Sequence, residues 1–177
     1  MVVLFPWGSI LMRVAPRRWA MPVHAAMQMV ALSMFIVAAT LGISLVREVR
    51  IPGQSGGLMS NPNFNYHPII GLVVLGLLLI QPALGMLHHL GYKKTGGRQV
   101  WSYLHLFNGR AAITLGIANG GLGLWMAGEG KGLKTAYVVV AVVMWTLWMA
   151  AAVWGEWRRW KWIRSTGTTD DKPRGGE

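Results

Sequence analysis

The stretch that decides the fold runs from His67 to Leu124. It opens as His67-Pro68-Ile69-Ile70-Gly71, continues as an apolar run to Gln81-Pro82, and reaches His88-His89. A short basic loop with Lys93, Lys94 and Arg98 follows. Then Leu104-His105-Leu106-Phe107-Asn108-Gly109-Arg110 leads into Ile117-Ala118-Asn119-Gly120-Gly121-Leu122-Gly123-Leu124. A helix needs about 20 apolar residues to cross a ~30 Å hydrocarbon core. The stretch therefore predicts two membrane helices with histidines at their ends and a polar hairpin between them. A histidine in a bilayer is costly and calls for a partner or a metal.

The rest of the chain agrees. Of its 177 residues, 53% are hydrophobic and 13% are charged, against about 25% charged in soluble domains. The apolar stretches do not alternate in polarity, which argues against a barrel. With no cysteine, disulfides, iron–sulfur ligation and c-type haem attachment are out. The formal charge of +11 would suit nucleic acid, but the Lys and Arg residues sit in loops and at the C-terminus, as topology determinants do. No nucleic-acid partner is expected; the bilayer is.

Residues 2–12 are apolar, and eleven helical residues reach only about 16 Å, too short to cross alone. Pro6 interrupts this run and no basic n-region precedes it, so it does not read as a signal peptide. Full spans are predicted from about Pro22 to Val46, His67 to Leu90, Trp101 to Ala127 and Thr135 to Val153, with a Gly/Pro/Asn/Ser loop at 47–66. Pro22 and Pro68 suit the first turn of their helices, where a missing N–H is harmless. The expected fold is an all-α integral membrane bundle: four full transmembrane helices plus a short N-terminal partial helix. Residues 1–157 form the membrane domain, its first helix (1–13) incomplete. Residues 158–177 form a basic, then polar tail, read as disordered.

Charge asymmetry sets the topology. Arg13, Arg17, Arg18, Lys93, Lys94, Arg98, Arg158, Arg159, Lys161 and Arg164 fall on one side, and Arg47, Arg50, Lys131 and Lys134 on the other. The first side is assigned to the cytosol, with the C-terminus and a belt of Trp154, Trp157, Trp160 and Trp162. His24, His88, His89 and His105 then lie at cytosolic ends, and His67 at the outer end.

On helical wheels, His24, Gln28, Ala31, Phe35, Ala38 and Gly42 fall within roughly 40° of one line. His105, Gly109, Ala112, Gly116, Asn119 and Gly123 do the same. His67, Gly71, Val74, Leu78, Gln81 and Gly85 form a third line, with His88 and His89 flanking its far end. Small residues admit a close neighbour, either a second helix or a bulky group. A b-type haem in a bundle is held by axial imidazoles from two helices at matching depth, in a slot walled by small and apolar residues. His24 and His105 meet the depth condition. Bis-imidazole ligation leaves no open position, so such a haem carries electrons. Arg110 either snorkels to the interface or meets a haem propionate. Two other readings stay open. One is a haem-free membrane scaffold or accessory subunit; the other is a metal-ion carrier using His88, His89 and His24, although no Asp or Glu lies inside any span. His88 and His89 alone read as solvated at headgroup level.

The run HPIIG…QPALGMLHH…GGR…WSYLHLFNGR…LGIANGGLGL resembles the cytochrome b561 membrane domain. It is most similar to the fungal type that follows a secreted, haem-binding dopamine-monooxygenase-type (DOMON) module. The resemblance covers about residues 4–127. In that family four core helices each carry a histidine, the first pairing with the third and the second with the fourth around two haems, and electrons cross the membrane. The resemblance implies that His24 and His105 pair around one haem b, with iron as their metal. It implies that His67 is a ligand whose partner, on the first helix, is missing, since VVLFPWGSILMR matches only the end of that helix. It also implies an electron donor and acceptor, a DOMON module or a second copy as partner, and ferric or ascorbate-type reductase activity within the family.

Overall fold

The computed structural model describes residues 1–48, 59 and 65–166. The predicted polar loop at 47–66 and the polar end of the tail fall mostly outside the described residues. Five helices follow one another: α1 Leu4–Val14, α2 Arg17–Glu48, α3 Tyr66–Thr95, α4 Val100–Met126 and α5 Lys131–Thr166. No strand occurs among the described residues.

Local chemistry explains the breaks. Pro16 forces Ala15 into extended backbone (φ −72°, ψ 151°), which ends α1 and turns the chain into α2. Gly96 ends α3 in the left-handed conformation (φ 72°), its N–H donating to the Tyr92 carbonyl at 2.9 Å. The Ser102 hydroxyl accepts the Gln99 N–H at 3.1 Å and caps the start of α4. Gly128 (φ 70°) closes α4.

Two boundaries differ from the sequence reading. Helix α2 starts at Arg17, so Pro22 lies inside it and not in its first turn. Helix α5 runs to Thr166, so residues 158–166 are helical where a disordered tail was expected. The apolar run ends at Val153, but the end of an apolar run is not the end of a helix. Beyond it Arg158, Lys161 and Arg164 each stack on the Trp four residues earlier, at 4.7, 3.9 and 4.0 Å from the ring centroids of Trp154, Trp157 and Trp160. Such i, i+4 contacts support a helix in water.

Helices α2, α3 and α5 are long and apolar enough to cross a membrane. Large apolar side chains stand exposed along them, among them Val37, Leu41, Val73, Leu79, Val139 and Val142. A water-soluble protein would cover such continuous apolar faces. Helix α4 has the length but not the apolarity, because it carries His105, Asn108, Arg110 and Asn119. It is instead the most enclosed of the four long helices, burying Ser102, Asn108, Ala112, Ile113, Gly116, Ile117 and Asn119. Its main neighbour is α3, whose Val74 and Leu78 complete the core with Ala31, Leu32, Phe5 and Trp148. The Asn108 amide donates to the Leu77 carbonyl at 2.8 Å, which satisfies one buried polar group of α4.

The helices alternate in direction. One end of the bundle, here the basic end, gathers the α1–α2 and α3–α4 connections and the C-terminal part of α5. The opposite end holds the start of α3 and the α4–α5 connection. Helix α1 lies along only the first half of α2, so Ala38 and Gly42 farther up the predicted stripe are exposed.

Candidate functional site: the histidines of α2, α3 and α4

At the basic end, His24 of α2 turns its Nδ1 to the Gly8 carbonyl of α1 at 2.9 Å. A carbonyl oxygen only accepts, so Nδ1 carries the proton and the neutral ring keeps its lone pair on Nε2. One turn on, the Gln28 amide donates to the Phe5 carbonyl at 3.0 Å. Gly8 is where these side chains pass, since a Cβ there would lie 2.7 Å from Gln28 Nε2. Helix α1 thus orients the His24 and Gln28 side chains of α2.

His105 of α4 sits against Gly85 of α3, where a Cβ would lie 3.2 Å from its Cε1. Its Nδ1 is cut off from solvent and has no hydrogen-bond partner. The Gln81 amide donates to the His105 carbonyl at 3.2 Å, while the Gln81 carbonyl oxygen is also buried and unpaired. Each such orphaned buried polar atom costs about 1–3 kcal/mol. His24 and His105 both lie toward the basic end of the bundle.

His88, which the sequence reading left at headgroup level, belongs to this cluster. Its ring stacks on His105 with centroids 5.9 Å apart and 8° between planes. Its Nδ1 is 2.6 Å from the Ser102 hydroxyl. The signal was present: His88 lies one turn beyond Gly85 and extends the line from His67 through Gln81. His89 is half-buried beside it.

His67 lies at the opposite end. Its Nδ1 reaches both the backbone and side-chain oxygens of Asn119, at 3.1 and 3.0 Å, so its lone pair also rests on Nε2. Its ring covers Gly123, where a Cβ would come within 2.7 Å. Helix α1 does not extend to this level.

The small-residue line of α4 is filled by protein. His67 lies on Gly123, Gln81 on Gly109 and Met1 on Gly116, while beside that line the Tyr137 hydroxyl lies on Gly120. Tyr137 also donates to the Ile117 carbonyl at 2.6 Å.

Arg110, weighed as a propionate contact, lies about 140° around α4 from His105 and faces α5. There it is 3.4 Å from Glu156, which Arg98 grips through two bonds of 2.7 and 3.0 Å. Arg13 completes the group at 4.0 Å. Two clefts open along α5, away from the histidines, one of about 360 Å³ beside Arg110 and Trp157 and one of about 380 Å³ beside Arg13 and Trp162. Among the described residues no three His, Cys, Asp or Glu side chains form a group that could hold a metal ion.

No protein-family model, curated protein or solved structure matches this sequence. The chemistry of the side chains therefore carries the argument.

Proposed function

We propose that this chain is a membrane b-type cytochrome, with His24 and His105 as the axial pair of one haem b. The observation that carries this reading is the buried, unpaired Nδ1 of His105, at the same end of the bundle as a His24 ring whose Nδ1 is already committed. The donor set fits the group. Ligating histidines characteristically give their second nitrogen to a backbone carbonyl, as His24 does to Gly8, which fixes tautomer and ring orientation.

When bound, the haem supplies reversible one-electron chemistry between ferric and ferrous iron. The chain's own part is to hold two imidazoles, exclude water and tune them. Gly8 sets the His24 tautomer, Gly85 gives His105 room beside α3, and His88 packs against the His105 ring. Arg110 serves the Glu156 cluster and stands outside this site.

The same reading takes α4 as a fourth crossing, sheltered by α1, α3 and α5, and puts the basic end and the C-terminus in the cytosol. It places the chain near the cytochrome b561 family, with His67 as a second ligand position. His88 and His89 cannot pair with it, being 21 and 22 residues on, roughly 30 Å along a helix. A DOMON-type haem module or a second copy of the chain would be the partner, and transfer across the membrane to an acceptor such as ferric iron or an ascorbate radical depends on it.

A specific observation favours the rival reading, a haem-free scaffold. The glycine line of α4 is occupied by Met1, Gln81 and His67, as in plain helix–helix packing. Haem per chain, by absorbance and pyridine haemochrome on the detergent-purified protein, separates the two. About one haem, lost in both His24→Ala and His105→Ala, is the expected result. A folded, helical protein without Soret absorbance would leave the scaffold reading standing.

A further inference from the structure

Past Val153 the α5 helix carries tryptophans and cations in alternation, and one of its clefts belongs to neither histidine site. That cleft, about 380 Å³, lies between the end of α1 and the extension of α5. Met12, Trp154 and Trp162 give it apolar walls; Arg13, Arg158 and Arg159 give it charge. No carboxylate lines it. Glu156, the single described carboxylate at the basic end, faces ten described cations there: Arg13, Arg18, Lys93, Lys94, Arg98, Arg110, Arg158, Arg159, Lys161 and Arg164. It is already gripped from two sides by Arg98.

Glu156 satisfies Arg13 only in part. Its Nε is buried without a partner, and its approach to Glu156 is a long 4.0 Å. The side chain passes over Gly155, where any Cβ would collide with it. The Arg158 guanidinium stacks 4.7 Å above the Trp154 ring. A stacked guanidinium keeps its in-plane N–H groups for a second partner, and those groups match the oxygens of a phosphate.

We propose that this cleft binds the phosphate headgroup of an acidic glycerophospholipid, with Arg13 and Arg158 on the phosphate and Met12, Trp154 and Trp162 against the start of the acyl chains. Depth selects a lipid over a free phosphate. The cleft begins where the apolar run of α5 stops, and tryptophan beside arginine is the composition of the headgroup layer. The site is independent of haem and rests only on insertion of α2, α3 and α5.

The test uses the full chain in nanodiscs of mixed phosphatidylglycerol and phosphatidylcholine, released and weighed by native mass spectrometry. Preferential retention of phosphatidylglycerol is expected. Each near-surface charge removed is worth roughly fivefold, so Arg13→Gln with Arg158→Gln should lose about 25-fold in phosphatidylglycerol affinity. Arg158→Lys, which keeps the charge but loses the stacked fork, should fall between. Equal retention of both lipids overturns the proposal, as does native-like retention in the double variant. Ready displacement by millimolar inorganic phosphate overturns the lipid assignment in favour of a free-anion site. If the double variant does not fold, the lipid preference of the native chain decides alone. A chain that fails to insert at all refutes the membrane reading, which flotation of vesicles shows separately.

Discussion

The His88 imidazole lies almost parallel to that of His105, with ring centroids 5.9 Å apart and planes inclined by 8°. His88 is fixed from behind by the Ser102 hydroxyl at 2.6 Å, which also caps α4. The end of α3, the start of α4 and the proposed ligand are thus one assembly. If His105 holds haem as proposed, His88 acts through it as a positioning residue. His88→Phe keeps a flat ring and is expected to retain haem while moving the reduction potential and the low-spin electron paramagnetic resonance signals. His88→Ala is expected to broaden those signals. Loss of haem in His88→Phe to the extent seen in His105→Ala would make His88 a ligand, against this assignment.

Glycines along the two stripes differ in what they face. A Cβ on Gly123 would press to 2.7 Å from the His67 ring, whereas one on Gly42 meets nothing within 4 Å. Gly123→Ala is expected to destabilise by about 1–3 kcal/mol through overpacking. Gly42→Ala is expected to be neutral, or to stabilise by about 0.5–1 kcal/mol through helix entropy. Unfolding midpoints in mixed detergent measure both, and a neutral Gly123→Ala would show that His67 does not pack on Gly123.

Tyr137 and Gly120 form a pair. The hydroxyl donates to Ile117 at 2.6 Å and occupies the space a Gly120 side chain would take. Interhelical hydrogen bonds in membranes average about 0.6 kcal/mol and reach ~1.7. Tyr137→Phe should cost an amount in that range, and Gly120→Ala more. The double variant should be more stable than the sum of the single losses predicts, because removing the hydroxyl makes room for the methyl. Strict additivity would show that the two residues do not touch.

Glu156→Gln leaves Arg13, Arg98 and Arg110 facing one another without their shared carboxylate. The cluster is partly exposed, so the loss is a matter of mutual repulsion as much as of lost bonds. Thermal stability should fall, and raising the salt to about 1 M, where the screening length is ~3 Å, should recover most of it. A deficit that ignores salt would point to lost packing around Trp157 as the cause.

Much of the architecture could be read directly from hydropathy. Length and apolarity predicted α2, α3 and α5 because lipid-facing helices announce themselves residue by residue. The ends were less legible. The sequence reading placed the start of α2 at Pro22 and the end of its last span at Val153, since it followed the apolar run, and helices outlast apolar runs wherever side chains pair one turn apart. The histidines were found for a sound reason, the cost of burying them. Their partners were not. Gly8 and Asn119 engage His24 and His67 partly through backbone oxygens, which no residue type advertises, and His88 was set aside because it adjoins a basic loop. Depth alone leaves Arg110 between the interface and a propionate, while its azimuth around α4 sends it to Glu156.

The carboxylate of Glu156 joins the end of α1, the α3–α4 connection, α4 and α5 in one knot. At the other end the described polar contacts link neighbours only two at a time, His67 with Asn119 and Tyr137 with Ile117. Segments that share a fastening cannot part singly, whereas segments joined in pairs can. The molecule is therefore tied like a sheaf near one end and should breathe from the other. Amide exchange would trace this as a gradient along α2, slow near Ala20 and His24 and fast toward Leu41 and Leu45.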